Sequence, residues 1–402
     1  MTSEGPSVVY LDHNATTPLA PEVLEAMLPY LGAAFGNPSS EHALGRRARQ
    51  AVDEARASVA ALIGAAASEV VFTSGGTESN NLAIRGVAAQ APAHRRRIVT
   101  STVEHPATTA PLVLLEASGW TLTRVPIAPS GILDLDVALA ALEDDVALVT
   151  VMLAQNETGA LMPVGELAED GRAHGAVVHT DAAQAIGKIP VSVDDLGVDL
   201  LSIAAHKCYG PKGVGALYVR RGTPLSPLVV GAGQEGGLRP GTENVAGIVG
   251  LGAAARLAID HLETDASRIA QLRDELWTAL SARVDGTLRH TPHDACLPNT
   301  LLVSFPGVLG ADVLARVPQL AASTGSACHA GEHTPNATLL AMGVAPEVAL
   351  GALRLSLGRG TTRAEIEAAV ELLAGAHGAL VATTPSPTSS ITSPRTSKGT
   401  PR

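Results

Sequence analysis

The stretch Val177-Val178-His179-Thr180-Asp181, then a helical period, then Leu200-Leu201-Ser202-Ile203-Ala204-Ala205-His206-Lys207 decides the fold of this chain. Each run is short, apolar and β-branched, and each ends in polar residues able to do chemistry. Working outward, the same alternation of runs and helical periods holds from about Glu22 to Asp260, through Val70-Val71-Phe72, Ile98-Val99-Thr100, Val146 to Leu153 and Val214 to Val219. Alternation of this kind predicts an α/β fold, a mostly parallel sheet flanked by helices on both faces. Helix starts are marked by Pro21 before Glu22, Pro106 after His105, and Asp134 and Asp136 ahead of an Ala/Leu-rich stretch. Beyond about Ala246, two long helical stretches, a strand-like Asn299 to Phe305, a Gly/Ser turn at Ser323 to Ala327 and a strand near Leu353 to Leu357 predict a smaller α+β domain.

Composition bounds the rest. The 402 residues are 46% hydrophobic and 17% charged, enough for a sizeable core, and only 2% aromatic, so that core is filled by Leu, Val, Ile and close backbone packing. A formal charge of −11 leaves no clustered cations to displace counterions from phosphates, so nucleic acid is not an expected partner. A spanning helix needs about 20 apolar residues in a row, and the best run, Val146 to Ala154, is about half that. No membrane association is expected. The N-terminal Met-Thr-Ser-Glu-Gly-Pro has no basic region followed by an apolar stretch, which predicts a cytoplasmic location. Cys208, Cys296 and Cys328 cannot all pair and show no CxxC spacing, so at least one thiol is free and no metal site is expected. Residues 383–402 are almost entirely Thr, Ser, Pro and basic residues, and read as a disordered tail.

Three segments place polar groups just past predicted strands, where open α/β sheets bind ligands. In Thr73-Ser74-Gly75-Gly76-Thr77-Glu78-Ser79-Asn80-Asn81, two glycines allow close backbone approach and the next helix offers free N–H groups to a phosphate, although an ordinary glycine turn would look alike. Asp181 ends an apolar strand with no Lys or Arg adjacent, so it either caps a helix or meets a cation from elsewhere. Lys207, directly after a buried strand, is a Schiff-base candidate if desolvation lowers its pKa, and a loop surface lysine otherwise. Together they fit pyridoxal phosphate: an aldehyde for Lys207, a phosphate for the Gly75–Thr77 turn, and a pyridine nitrogen that Asp181 keeps protonated. His105, after another strand, could stack on the ring, shuttle protons, or merely cap a helix.

On these segments the sequence resembles the cysteine desulfurases and selenocysteine lyases, fold-type I pyridoxal phosphate enzymes of aminotransferase class V. The resemblance runs from Tyr10-Leu11-Asp12-His13-Asn14-Ala15-Thr16-Thr17-Pro18 to Arg363, and includes Phe35-Gly36-Asn37-Pro38-Ser39-Ser40, Asn156-Glu157-Thr158-Gly159, Arg239-Pro240-Gly241-Thr242-Glu243-Asn244 and Leu353-Arg354-Leu355-Ser356-Leu357-Gly358-Arg359. It implies a fold-type I architecture, with residues 18–255 binding the cofactor and residues 1–17 and 256–382 forming the small domain. It further implies Lys207 as the cofactor lysine, Asp181 on the pyridine nitrogen, Gln184 and Asn156 near the ring oxygen, His105 on the ring, and Gly76, Thr77 and His206 at the phosphate. Thr242 would reach the phosphate of a neighbouring subunit, making a homodimer. Arg354 would grip the substrate carboxylate, beside Asn14 and Asn156. Cys328, after a small-residue turn, matches the nucleophilic cysteine. The implied reaction converts L-cysteine to L-alanine and leaves sulfur on Cys328 as a persulfide for an acceptor protein; L-selenocysteine is the alternative substrate.

Two departures point toward the selenocysteine lyase branch. Ala204 stands where housekeeping desulfurases carry a phosphate-binding serine, and Cys328 is followed by His329-Ala330-Gly331-Glu332-His333 rather than by small hydroxyl residues. A competing dehydrogenase reading starts from Gly231-Ala232-Gly233-Gln234-Glu235-Gly236, which spells GxGxxG. The next residues, Gly237-Leu238-Arg239-Pro240-Gly241, cannot open a helix, so the nucleotide fingerprint lacks its context.

Overall fold

The computed structural model describes residues 8–324, 328, 329 and 332–383. Its centre is a seven-stranded sheet: β1 (Val70–Thr73), β2 (Arg97–Ser101), β3 (Thr121–Val125), β4 (Val146–Thr150), β5 (Val177–Asp181), β6 (Leu200–Ala204) and β7 (Gly215–Val219). The order is β1-β7-β6-β5-β4-β2-β3. Every pair is parallel except those of β7, which runs antiparallel to both β1 and β6. Strands β4 and β6 are buried at every position, as strands covered by helices on both faces must be, which is why they read as continuous apolar runs. Strand β3 escaped the sequence reading. It is an edge strand with Thr and Arg in its largely exposed pattern, so no apolar run marks it.

The helix signals act as expected. Pro21 opens α1 (Pro21–Leu31), which is followed by α2 (Ala43–Leu62) and α3 (Gly76–Gln90). His105 caps α4 (Pro106–Ala117) by accepting from Ala107 N at 3.1 Å, and Asp134 caps the short helix Leu135–Ala140 from Val137 N at 3.2 Å. The two long stretches expected beyond Ala246 are instead one continuous helix, α5 (Val245–Arg283), of 39 residues. Its N-terminal part packs on the large core through Ile248, Leu251 and Ala253–Ala255, and its C-terminal part on a second core through Ile269, Leu272, Leu276 and Leu280. The solvated middle interrupts the apolar period without interrupting the backbone bonds, so the sequence looks broken where the helix is not. Helix α2 lies against it closely enough that a Cβ on Gly252 would come within 2.6 Å of Ala55 Cα.

The second core gathers an antiparallel sheet, β8 (Leu288–Arg289), β9 (Thr300–Ser304) and β10 (Ala352–Ser356), in the order β10-β9-β8, with α6 (Arg363–Thr383) across it. Helices α5 and α6 are long and apolar enough, by length and composition alone, to cross a bilayer. An unbroken-run criterion misses both. In the fold, each turns apolar residues onto protein, α6 through Ile366, Val370 and Leu373. Thr383 closes α6 rather than opening the tail, and the remainder of that expected tail lies outside the described residues.

Candidate active site

The carboxyl ends of β1, β2, β4, β5 and β6 open into one cavity of about 170 Å³. Gly76, Thr77, His105, Asn156, Asp181, Gln184, His206 and Lys207, all expected from the sequence, line it, with Asn80, Met152 and Ala204 among their neighbours. Larger cavities, of about 840 and 510 Å³, lie elsewhere and are lined by other residues.

Lys207 closes the tight turn Ala205–Lys207 directly after β6, half-buried at the end of the sheet. Its Nζ donates to the carbonyls of Asn14 (2.5 Å) and Ala15 (2.8 Å). Burial, with Arg354 adding, lowers its pKa to about 8, against the smaller opposing pull of Asp181 and Asp12. A usable fraction of free amine therefore exists near neutral pH. Asp181 is buried at the end of β5 and accepts from Asn80 Nδ2 at 2.6 Å and Ala183 N at 2.9 Å, both neutral donors. Asn80 Oδ1 is buried without a partner in the same wall. His105 has its pKa lowered by burial, Asp181 opposing and Lys207 adding, so the ring is neutral at pH 7. It thus both caps α4 and faces the cavity.

The glycine turn works through one backbone angle. Gly75 has φ +148° and ψ −178°, a region essentially open only to glycine, and directly after it the first residues of α3, Gly76 and Thr77, line the cavity. His206 contacts Thr16 Oγ1 at 3.1 Å, and burial, then Lys207 and Lys212, lower its pKa to about 4. Asn14 and Arg354 do not line the cavity but reach it through Asn156, whose carbonyl accepts from Asn14 Nδ2 (3.2 Å) and Arg354 Nη1 (2.9 Å). Arg354 Nη2 is held by Asp12 Oδ1 at 2.8 Å, while its Nε is buried and unpartnered.

Two expected residues do not join this group. Thr242 is exposed on the loop after the Gly231–Gly236 segment and does not line the cavity; that segment holds only a short turn at Gln234–Gly237, not the helix a nucleotide site needs. Cys328 lies in a two-residue strand, Cys328–His329, paired with Glu332–His333, and its thiol falls outside the described residues, as does the turn at 325–327. Cys208 is packed, its thiol pushed up to about 12 by burial.

Sequence reasoning missed Glu104, Asn80, Asp12 and Lys188. Glu104 is buried, accepts from Ser101 Oγ (2.5 Å) and Met152 N (3.0 Å), and burial raises its pKa to about 8; it ties the end of β2 to the end of β4. Lys188 carried a signal that could have found it: a lysine amid Ala185-Ile186-Gly187 and Ile189 with no acid beside it.

The residues present fit pyridoxal phosphate. Asp181 is buried with only neutral partners, which suits a protonated ring nitrogen; an amine of lowered pKa suits the aldehyde; and a glycine turn ahead of a helix suits the phosphate. Fold and site together thus define a fold-type I pyridoxal phosphate protein, and the chain belongs to the aminotransferase class-V family, whose profile matches residues 9–369. Within that family it is similar to cysteine desulfurases. It is 45% identical over 367 residues to the cysteine desulfurase IscS of Dictyoglomus turgidum, covering 91% of this chain and 93% of that relative. It is 48% identical over 370 residues to a cysteine desulfurase of Cereibacter sphaeroides, covering 91% and 94%. Among solved structures, a NifS-like protein superposes with a TM-score of 0.86 at 37% identity, over 93% of this chain and 99% of the other. A structure described as SspA in complex with cysteine superposes with a TM-score of 0.77 at 35% identity, over 88% and 99%. The lean toward the selenocysteine lyase branch finds no support among these relatives.

Proposed function

We propose that this protein is a pyridoxal phosphate-dependent cysteine desulfurase that converts L-cysteine to L-alanine and takes the sulfur onto Cys328 as a persulfide. The observation that carries this reading is one cavity holding a lysine amine of lowered pKa, a buried carboxylate bonded only to neutral groups, and a glycine turn opening a helix. Likeness to cysteine desulfurases, and to a structure solved with cysteine, supports cysteine over selenocysteine as substrate.

Pyridoxal phosphate, when bound, supplies an aldehyde for Lys207 and a protonated ring that withdraws electrons from the substrate Cα. Asp181 would hold the ring proton, Gly76, Thr77 and His206 would hold the phosphate, and His105, Asn156 and Gln184 would hold the ring. Arg354, steadied by Asp12 and by the Asn156 carbonyl, binds the substrate carboxylate with its planar fork, with Asn14 beside it. Lys207 Nζ moves the proton at Cα, a task its lowered pKa permits near neutral pH. The Cys328 thiolate attacks the substrate sulfur: an S–S bond forms, the Cβ–S bond breaks, and its electron pair stays with the carbon, which is protonated and leaves as L-alanine.

The same proposal extends to domains, assembly and location. Residues 18–255 form the cofactor domain, and 1–17 with 256–382 the small domain; an apolar cluster of Val9, Leu11 and residues from Ile269 to Ala376, none of them within 18–255, supports this division. Thr242, exposed and away from its own cavity, serves the phosphate of a second copy, so the enzyme is a homodimer. Free thiols at Cys208 and Cys296 suit a reducing cytoplasm, and the persulfide passes to an acceptor protein. Mass spectrometry after brief exposure to L-cysteine tests the central claim. Cys328 should gain one sulfur atom, and alanine release with an unmodified Cys328 would refute the assignment.

A further inference from the structure

Lys188 stands half-buried beside the cofactor cavity and has no part in the proposed catalytic steps. Its Nζ donates to Gln184 Oε1 at 2.7 Å and to Asn14 Oδ1 at 2.9 Å. Both acceptors are carboxamides, whose oxygen and nitrogen ends are nearly alike in shape, so a neighbour that donates decides which end faces it. With Oε1 turned to Lys188, the Gln184 NH₂ faces the other way. One of its hydrogens goes to Asn14 O at 2.9 Å, and the second is left for the cavity that Gln184 lines.

The same logic applies to Asn14. Its Oδ1 takes Lys188 Nζ and Asn299 Nδ2 (3.0 Å), so its NH₂ is presented to Thr300 Oγ1 (2.8 Å) and to Asn156 O (3.2 Å). That carbonyl also takes Arg354 Nη1. A single amine thus anchors one chain of bonds to the ring side of the site and another to the carboxylate side. Burial, with Lys207 and Arg354 adding, lowers the Lys188 pKa well below its ordinary value. A neutral amine still has two N–H groups for its two carbonyls, so the arrangement survives loss of the proton.

We propose that Lys188 is a positioning residue: its amine fixes the Gln184 carboxamide with NH₂ toward the cofactor, and the Asn14 carboxamide with NH₂ toward Thr300 and the Asn156 carbonyl that Arg354 shares. This rests on the pyridoxal phosphate reading. The test compares holoenzymes of wild type, Lys188→Met, Gln184→Ala and the double variant by the position of the visible absorption band, the Kd for pyridoxal phosphate, and the KM for L-cysteine. Lys188→Met should move the band in the same direction as Gln184→Ala, weaken cofactor binding about tenfold, the worth of one buried hydrogen bond, and raise KM. The double variant should shift the band no further than Gln184→Ala. A folded Lys188→Met enzyme with unchanged band and KM, or band shifts that add in the double variant, would overturn the role. Should Lys188→Met not fold, Lys188→Arg decides: it keeps the donors and should keep the wild-type band, and a shift like that of Gln184→Ala counts against the proposal. A wild-type protein with no visible band after incubation with pyridoxal phosphate would instead sink the cofactor reading itself.

Discussion

Asp181 shows how a residue's surroundings state its task. A buried carboxylate bonded only to an amide and a backbone N–H has paid for desolvation without a cation, and a protonated ring nitrogen is the partner such a group suits. Breaking a buried ion pair costs about 3–5 kcal/mol, which is about two to four powers of ten in rate when expressed fully in the barrier. Asp181→Ala should therefore lower kcat for alanine release by that order while the protein stays folded; a loss under tenfold would remove Asp181 from the mechanism. At Arg354 the fork is already steadied on Asp12 and Asn156 O, so Arg354→Lys should raise KM for L-cysteine by at least about tenfold, the loss of a two-pronged contact. An unchanged KM would place the carboxylate elsewhere. Lys207 and Asp181 were legible because each ends an apolar run. Glu104 was not, because its meaning lies in a bond to Met152 far along the chain; Lys188 stood out only as a lysine amid apolar residues, with its partner Asn14 hidden by distance.

Among the elements, the β1–α3 turn carries the phosphate cradle. Nothing lies within 4 Å of a Cβ built on Gly75, so Gly75→Ala meets no clash and its cost is conformational, set by φ +148°. That cost is about 1–3 kcal/mol. The apoprotein should lose that much stability in urea and hold pyridoxal phosphate more weakly, whereas an alanine variant with wild-type stability and cofactor Kd would show that the turn relaxes freely. Glycines before a helix after a strand announced this element in the sequence. Helix α5 did the opposite: its apolar faces serve two different cores, so the period shifts midway and one helix read as two.

At the scale of the molecule, pH is the most direct probe of what is buried. His13, His179 and His290 are held near pKa 4 by burial, against an ordinary 6.5. Between those values the unfolded chain binds more protons than the native one, so stability falls as pH drops from 6.5 toward 4, by about 1.4 kcal/mol per pH unit for each histidine fully within the window. Glu104, raised to about 8, acts in the opposite sense above 4.5, as do Glu157 and Asp199, both raised by desolvation. Half-buried His206 adds less. The melting temperature should thus be lower at pH 5 than at pH 7, and an equal or higher value at pH 5 would mean that these imidazoles are not buried as described.

Local patterns determined much of this protein in advance. Apolar runs of strand length, a glycine pair before a helix and a lysine at a strand end are properties of neighbouring residues, so the α/β class and the part of the cavity wall made by Gly76, Thr77, His105, Asp181 and Lys207 could be read directly, whereas Asn156, Gln184 and His206 entered through the family resemblance. Tertiary structure alone decided the strand order, the reversed direction of β7, the continuity of α5, and the convergence of Asn14, Lys188 and Arg354 on one site. Asn14 and Lys188 are 174 residues apart. Nothing in a short window says which strand ends will face each other, because that choice is made by packing of the whole sheet and both cores.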